Sequence, residues 1–173
     1  MEANPKTCCF SGHRPQKLPW GKDENAADCL AVKQLIYDKI EQLYYDGYRV
    51  FICGMAEECD LYFAEEVLKL KILHNDVELW AAVPCPEQTS SWSAAQKRRY
   101  EEILSQCSDV NILQPSYTRG CMQRRNKYMV DRSSALLACY NGLPGGAMNT
   151  IVYADREGLE VHIIDISGLT GGG

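Results

Sequence analysis

A cluster of basic side chains is the first feature of this sequence that could do chemistry. Five cationic residues lie within positions 119–132, although the whole chain has a formal net charge of −5. The planar guanidinium of Arg125 could bind a phosphate or carboxylate through paired hydrogen bonds, and Arg132 is a second candidate for this role. Arg124 points about 100° away from Arg125 on a helix, so the two cannot face one ligand equally. The alternative is a solvated helix face.

A pair of glycines marks a second candidate site. Gly145 and Gly146 follow a predicted strand and precede a predicted helix. Backbone amides at such a junction are free to bind a phosphate. Thr150, or the neighbouring Asn149, adds a side-chain donor. We therefore expect an anion at this turn, with Arg125 opposite it.

The loop after the first predicted strand is a third candidate. Gly12 would allow the backbone to approach a ligand closely, and His13 and Arg14 would add hydrogen-bond donors. The alternative is a simple turn that leads to Trp20.

The loop after the second predicted strand gives a mixed signal. Gly54 suits a tight turn, and Asp60 could accept hydrogen bonds from a ribose hydroxyl. Glu57 and Glu58 would repel a phosphate. Carboxylates are also favoured at a helix N-terminus, so helix capping alone is an alternative explanation.

The cysteines show the usage of buried, free thiols. There are nine of them, an odd number, and no pair has the spacing Cys-x-x-Cys, which together disfavour a disulfide framework and indicate a reducing compartment. The three histidines keep no ligand spacing with the cysteines, so a metal site is not predicted. Cys85 follows the third strand and is expected to be structural, because the sequence identifies no base beside it.

The elements that must position these residues alternate between strand and helix. Strands are predicted over residues 7–11, 49–53, 78–83, 109–113, 135–140 and 160–166. Helices are predicted over residues 24–46, 58–73, 90 or 91 to 106, 120–131 and 148–157. The first helix is predicted to bury Leu30, Leu35, Ile36, Ile40 and Leu43 and to stop at Gly47.

Strict alternation of this kind predicts a parallel sheet with right-handed crossovers. The fold class is therefore α/β, a Rossmann-like three-layer α/β/α arrangement with a mainly parallel sheet of about six strands. Ligands of such sheets bind outside the carboxyl ends of the strands, where all the candidate loops lie.

Length and composition favour one folded domain over residues 1–173, with a core at about 7–166 and a flexible glycine tail at 171–173. Hydrophobic residues make up 46% and charged residues 24%, which disfavours disorder. No apolar run reaches the roughly 18 residues of a membrane helix, and the N-terminus lacks the apolar core of a signal peptide. We expect a cytoplasmic protein, and the acidic net charge makes a nucleic acid partner unlikely.

Five motifs together resemble the YpsA-like branch of the SLOG superfamily, which also contains the DprA and LOG proteins. They span residues 11–14, 54–60, 84–92, 120–131 and 145–150. The block that ends at Asp131 is the most specific. The resemblance covers about residues 7–166 and implies a Rossmann-like domain that binds nucleotides or their derivatives, ADP-ribose-like molecules among them, and that forms a homo-oligomer.

Two departures from the related patterns bear on catalysis. Glu58 stands where the YpsA-like pattern usually has a second glycine, which weakens the case for a phosphate at that turn. The LOG enzymes carry a catalytic glutamate after their glycine pair, whereas Val152 or Tyr153 stands there in this chain. Arg125 aligns with the arginine of the LOG motif. A proton donor for N-glycosidic cleavage is therefore not evident.

Three hypotheses remain. The first is a protein that binds or senses a nucleotide-derived small molecule, whose residues are Gly12, His13, Arg14, Gly54, Asp60, Arg125, Asp131, Gly145, Gly146 and Thr150. The second is a nucleotide N-glycosidase in which Glu57, Glu58 or Asp60 replaces the missing glutamate. The third is an interaction protein or cell-division-associated regulator with a vestigial pocket. No cofactor other than the nucleotide-derived ligand, and no membrane partner, is predicted.

Overall fold

A computed structural model describes residues 6–13 and 18–168. Its strands are β1 (Lys6–Ser11), β2 (Tyr48–Cys53), β3 (Glu78–Val83), β4 (Asp109–Ile112), β5 (Ala135–Tyr140) and β6 (Glu160–Asp165). Its helices are α1 (Ala27–Tyr45), α2 (Cys59–Leu73), α3 (Ala94–Ser105), α4 (Cys121–Asp131) and α5 (Gly146–Arg156). A 3₁₀ turn covers Pro86–Thr89. Arg14 and the glycine tail at 171–173 lie outside the described residues.

The six strands form one sheet in the order β4-β3-β2-β1-β5-β6, and every neighbouring pair is parallel. This confirms the Rossmann-like α/β fold. The chain moves from β1 to one edge and then returns to the other side of β1 at β5. The carboxyl ends of β1 and β5 therefore flank the topological switch point, the place where open sheets of this kind bind ligands.

Both faces of the sheet are covered, which confirms the three layers. On one face Phe10 of β1 stacks on Phe63 of α2, with 4.6 Å between ring centroids. On the other face Met129 of α4 and Ala154 of α5 pack against the apolar side chains of the central strands. Strands that are buried on both faces read as continuous apolar runs, as in Ala135–Tyr140.

The buried stripe of α1 differs from the predicted one. Leu30 and Leu35 are 54% and 48% exposed, so the expectation that they face the core is wrong. The inward positions are Cys29, Val32, Ile36, Ile40 and Leu43. These follow one another at intervals of three and four residues, the true helical period, and the small buried Cys29 takes the place that the sequence reading gave to Leu30.

Helix starts differ from the predictions by one to four residues. Ser93 caps α3 by accepting a hydrogen bond from the amide of Gln96 at 3.2 Å, so Ser90 and Ser91 are not the cap. The 3₁₀ turn Pro86–Thr89 occupies the preceding residues instead. Helix α5 begins at Gly146 rather than at 148. The predicted stop at Gly47 is confirmed by its φ of +103° directly after α1.

Candidate ligand-binding site at the carboxyl edge of the sheet

A cavity of about 450 Å³ opens at the topological switch point. Its walls come from the end of β1, the loop before α2, the first turns of α4 and the start of α5. We call it the edge cavity. It is lined by Phe10, Ser11, Gly12, His13, Ala56, Glu57, Asp60, Met122, Gln123, Arg125, Asn126, Gly146 and Ala147.

Arg125 forms a wall of the edge cavity and is only 5% exposed. Its Nη1 donates to the carbonyl oxygen of Gly54 at 2.5 Å and to Oε1 of Gln88 at 3.3 Å. Its Nε donates to Oδ1 of Asn126 at 2.7 Å. Arg124, the preceding residue, is exposed, as the helical geometry predicts. The guanidinium therefore joins α4 to the loop after β2 while its charge lies beside the cavity.

Gly54 lies behind Arg125 rather than in the cavity wall. A Cβ added to Gly54 would lie 2.5 Å from Nη1 and 2.6 Å from Cζ of Arg125. Real Cβ atoms essentially never approach a neighbour so closely. Glycine at this position lets the guanidinium lie flat against the backbone, and Gly54 is not among the residues that line the edge cavity.

A chain of polar contacts continues from Arg125 into α5. Asn126 Nδ2 donates to Oγ1 of Thr150 at 3.0 Å. The Thr150 hydroxyl donates in turn to the carbonyl oxygen of Gly146 at 3.0 Å. Thr150 is buried and does not line the edge cavity. Its role is to hold the first turn of α5 against α4.

The first turn of α5 presents backbone amides at the edge cavity. Gly145 is the N-cap residue, and no side chain among the described residues caps this helix. Gly146 and Ala147 line the cavity. Uncapped amides at a helix start, together with the positive end of the helix dipole, favour an anion. Gly145 itself is not among the lining residues and shapes the turn, with a φ of 150°.

The loop before α2 separates its two glutamates. Glu57 lines the edge cavity. Glu58 turns away and is 1% exposed, and its Oε2 accepts a hydrogen bond from the Tyr62 hydroxyl at 2.5 Å. Burial raises the pKa of Glu58, although the Tyr62 hydrogen bond opposes this. The expectation that both glutamates face the turn is therefore wrong, because only Glu57 does.

The backbone of Glu58 adopts a conformation that glycine prefers. Its φ is 66° and its ψ is −108°, and Met55, three residues earlier, has a φ of 60°. Side-chain-bearing residues rarely occupy this region. This agrees with the expectation that relatives carry glycine at position 58. The loop therefore bends as a glycine turn does, although a glutamate stands in it.

Asp60, Gly12 and His13 complete the cavity wall. Asp60 is 6% exposed, and its Oδ2 accepts a hydrogen bond from the amide of Ala56 at 3.0 Å. Nε2 of His13 accepts from the amide of Asn141, which follows β5, at 3.2 Å. A Cβ on Gly12 would lie 2.5 Å from Cβ of Cys59. Glycine is thus needed at position 12 for packing of β1 against α2.

Other predicted residues lie away from the edge cavity. Asp131 is exposed at the end of α4, where the Tyr153 hydroxyl donates to its Oδ1 at 2.6 Å. Arg132 is also exposed, and its guanidinium lies 3.6 Å from the centroid of the Tyr128 ring. Val152 and Tyr153, the two candidates for the position of the LOG glutamate, do not line the cavity, and Val152 is 40% exposed. Arg14 lies outside the described residues.

Sequence reasoning missed two amide side chains. Asn126 follows Arg125 directly and holds its Nε, and Gln88 bonds both Arg125 and the carbonyl oxygen of Gly54. Both residues stand in motifs that the resemblance uses. The signal that could have found them is the need of a buried guanidinium for several acceptors.

The cysteines and acidic residues form no metal centre in the part of the chain that the structure describes. No group of three or more His, Cys, Asp or Glu side chains there is placed to hold a metal ion. Cys85 is fully buried, and burial raises its pKa. Within the same residues, no helix combines the length and the apolar character that a bilayer crossing requires.

Two solved DNA processing proteins share this fold. DprA from Streptococcus pneumoniae aligns with a TM-score of 0.61 and 17% identity over 96% of this chain and 52% of that chain. DprA from Helicobacter pylori aligns with a TM-score of 0.65 and 16% identity over 96% of this chain and 69% of that chain. This chain spans about half the length of the S. pneumoniae protein. At these identities the likeness concerns the fold alone.

The expectation that a nucleic acid partner is unlikely is wrong. The H. pylori protein, which shares the fold, was described for its single-stranded DNA binding mode. The net charge of −5 is a poor guide to local binding. Salt screens the interaction between exposed charges beyond roughly a Debye length, about 10 Å, so local patches matter more than the total. Arg119, Arg124, Lys127 and Arg132 are all exposed along or beside α4.

Sequence comparison identifies the family. UPF0398 proteins from Bacillus thuringiensis (strain Al Hakam) and Bacillus cereus (strain B4264) are 26% and 25% identical to this chain over 160 residues, 91% of this chain and 86% of each relative. A family model named YpsA and described as the YspA SLOG family matches residues 8–168. The chain belongs to the YspA SLOG family.

Proposed function

We propose that this protein binds a nucleotide-derived small molecule, a nucleoside phosphate or an ADP-ribose-like compound, in the edge cavity. One observation carries the proposal. A single cavity of about 450 Å³ is lined by an uncapped helix start, a buried guanidinium and two carboxylates. Ligand pockets commonly have volumes of about 300–1,000 Å³. These groups complement the phosphate and the hydroxyls of one nucleotide.

The phosphate end of the ligand belongs at α5. The amides of Gly146 and Ala147 would donate to its oxygens, and the helix dipole adds favourable potential. The charge of Arg125 strengthens this potential, because a guanidinium in a low-dielectric wall acts more strongly than one in water. Since Arg125 already bonds Gly54 and Asn126, its second role is to hold the wall in place.

The sugar end of the ligand belongs on the α2 side. Glu57 and Asp60 line that side, and ionised carboxylates accept hydrogen bonds from ribose hydroxyls. The same charges repel a phosphate. Amides on one wall and carboxylates on the opposite one would therefore orient the ligand in one direction.

A matched pair of substitutions tests the phosphate site. A Cβ on Gly146 would meet no atom within 4 Å, so Gly146→Asn and Gly146→Asp should both fold, and Asp is favoured at a helix start by about 0.3–1 kcal/mol. We expect calorimetry with AMP and ADP-ribose to show binding to Gly146→Asn that is at least about tenfold tighter than to Gly146→Asp. Equal affinities of the two variants would contradict the proposal.

An N-glycosidase is a second candidate, favoured by the position of Glu57. Its carboxyl group lines the edge cavity, whereas Glu58 is buried elsewhere. A cavity-lining carboxyl is the group that protonates a leaving base in general acid catalysis. Release of free base from nucleoside monophosphates, lost in Glu57→Gln, would establish this activity. Intact nucleotides after prolonged incubation would exclude it for those substrates.

Single-stranded DNA is a further candidate ligand, favoured by the exposed cations of α4. Arg124 and Lys127 lie on that helix, and Arg132 follows it. Electrostatic binding to a phosphate backbone weakens steeply with salt. Fluorescence anisotropy of a labelled oligonucleotide at about 50 and 200 mM salt measures this dependence. Binding that is absent at low salt would remove the candidate.

Assembly and location complete the proposal. The family resemblance implies a homo-oligomer, and the free thiols suit a cytoplasmic location. Light scattering on the purified chain measures its assembly directly, and a monomer over a range of concentrations would contradict the first of these expectations.

A further inference from the structure

A second, smaller depression adjoins the edge cavity between α4 and α5. We call it the α4–α5 notch. It is lined by Gln123, Asn126, Lys127, Asn149, Thr150 and Tyr153. Gln123 and Asn126 also line the edge cavity. The two depressions therefore adjoin each other, and these two side chains form the boundary between them.

The lining of the notch suits an anion. None of the described residues that line it is acidic, and its polar groups are three side-chain amides, a hydroxyl, a phenol and one ammonium. Lys127 forms no ion pair with any described residue, and its Nζ lies 5.5 Å from the centroid of the Tyr153 ring. The nearby Asp131 accepts a hydrogen bond from Tyr153. A positive charge beside amide donors favours a phosphate.

The size of the notch limits what can enter it. Its volume is about 30 Å³, and about 10–15 Å³ of such volume holds one water molecule. The notch therefore has room for one or two phosphate oxygens, whereas a sugar ring or a base is too large for it. The wall between the two depressions is fixed, because both ends of the Asn126 amide are bonded, to Arg125 and to Thr150. The exposed Gln123 is the side chain that a ligand would pass.

We propose that the α4–α5 notch, through Lys127, binds a second phosphate of the ligand whose first phosphate lies at the start of α5. This inference rests on the proposed function and narrows its ligand to molecules with two linked phosphates. Two sources share this chemistry. One is the pyrophosphate of a nucleoside diphosphate or ADP-ribose, and the other is the next phosphodiester of an oligonucleotide.

Calorimetry with AMP, ADP, ADP-ribose and the dinucleotide pApA tests the inference on the full chain. We expect the wild-type protein to bind at least one two-phosphate ligand about five- to tenfold more tightly than AMP. Lys127→Ala should abolish this advantage and leave AMP affinity within about twofold. Lys127→Arg should keep it. Lys97→Ala, the same charge change in α3 on the other face of the sheet, is the matched control and should also keep it.

The outcomes separate the inference from the function on which it rests. An advantage for ADP and ADP-ribose identifies a free diphosphate ligand, and one for pApA alone identifies an oligonucleotide; both support the second phosphate site. The inference is overturned if AMP binds as tightly as all three, or if Lys127→Ala weakens AMP and ADP equally. If none of the four ligands binds the wild-type chain, the proposed function fails and the inference fails with it.

Discussion

Position 54 shows how a glycine can set the position of a neighbouring side chain. The Arg125 guanidinium lies against the backbone of Gly54 and donates to its carbonyl oxygen. Gln88 donates to the same oxygen at 3.3 Å and also accepts a hydrogen bond from Arg125. The loop after β2, the helix α4 and the 3₁₀ turn therefore meet at one atom. Because Arg125 lines the edge cavity, this junction fixes the position of one of its walls.

Gly54→Ala should destabilise the protein by about 1–3 kcal/mol, because the added Cβ overlaps the guanidinium and a packed interior relaxes only in part. Gly146→Ala is the matched control, since its Cβ would meet no atom within 4 Å. Urea unfolding measures both. A Gly54→Ala variant as stable as the control would contradict this prediction and show that the guanidinium is not held tightly against the backbone of residue 54.

Glu58 should make stability depend on pH. Burial raises the pKa of its carboxyl group in the folded protein. Between the ordinary glutamate pKa of about 4.3 and this raised pKa, the folded form holds a proton that the unfolded form has released. The contribution of Glu58 to stability is therefore full below the unfolded pKa and is lost as the pH rises through the folded pKa.

Glu58→Gln removes this titration and keeps an acceptor for the Tyr62 hydroxyl. The difference in unfolding free energy, variant minus wild type, should become more favourable to the variant as the pH rises from about 4 to 7. Urea unfolding at several pH values measures the difference, with the exposed Glu101→Gln as control. A difference that stays constant across this range would contradict a raised pKa at Glu58.

At the scale of elements, helix starts carry the chemistry of this site. Helix α5 begins without a capping side chain and lines the edge cavity, whereas α3, which lies away from it, is capped by Ser93. A capped helix start has fewer amides to offer a ligand. Helices α1, α2 and α4 also begin without a capping side chain, so the position of the α5 start in the wall of the edge cavity is what supports a binding role for it.

The cap of α3 gives a prediction with an internal control. Ser93→Ala should cost about 1 kcal/mol of stability, because the amide of Gln96 loses its acceptor. Ser91 is the control, because the sequence made it a candidate for the same cap. Ser91→Ala should change stability by less than about 0.5 kcal/mol. Thermal or urea unfolding compares the two. Equal losses would show that the cap lies elsewhere.

The sequence was sufficient to predict that several candidate residues meet at one edge of the sheet, but not how their side chains are arranged. Alternating strands and helices place every loop after a strand at one edge, so His13, Asp60, Arg125 and Gly146 were found before any contact was known. The turning of Glu58 into the core depends on Tyr62, four residues later. A pattern of residue types does not reveal such a contact, because tertiary packing routinely overrides local propensity.

At the scale of the whole molecule, strand order gathers distant residues at one place. The chain passes from β4 back to β5 through α4, and this crossover carries Arg125 past β1 to the switch point. Residues that are more than 130 positions apart, Gly12 and Gly146, thereby line one cavity. The helix of this crossover, α4, also carries exposed cations. The proposed small-molecule site and the candidate surface for nucleic acid are therefore neighbours.

The most direct test of a nucleotide site at the edge cavity is a titration of ¹⁵N-labelled protein with AMP, followed by amide chemical shifts. We expect saturable shifts at Gly146 and Ala147, at Glu57 and Asp60, and at the end of β1. The amides of α1 and α3 should stay unchanged and serve as the internal reference. Shifts confined to those helices, or none at millimolar AMP, would contradict the central claim that the edge cavity binds nucleotides.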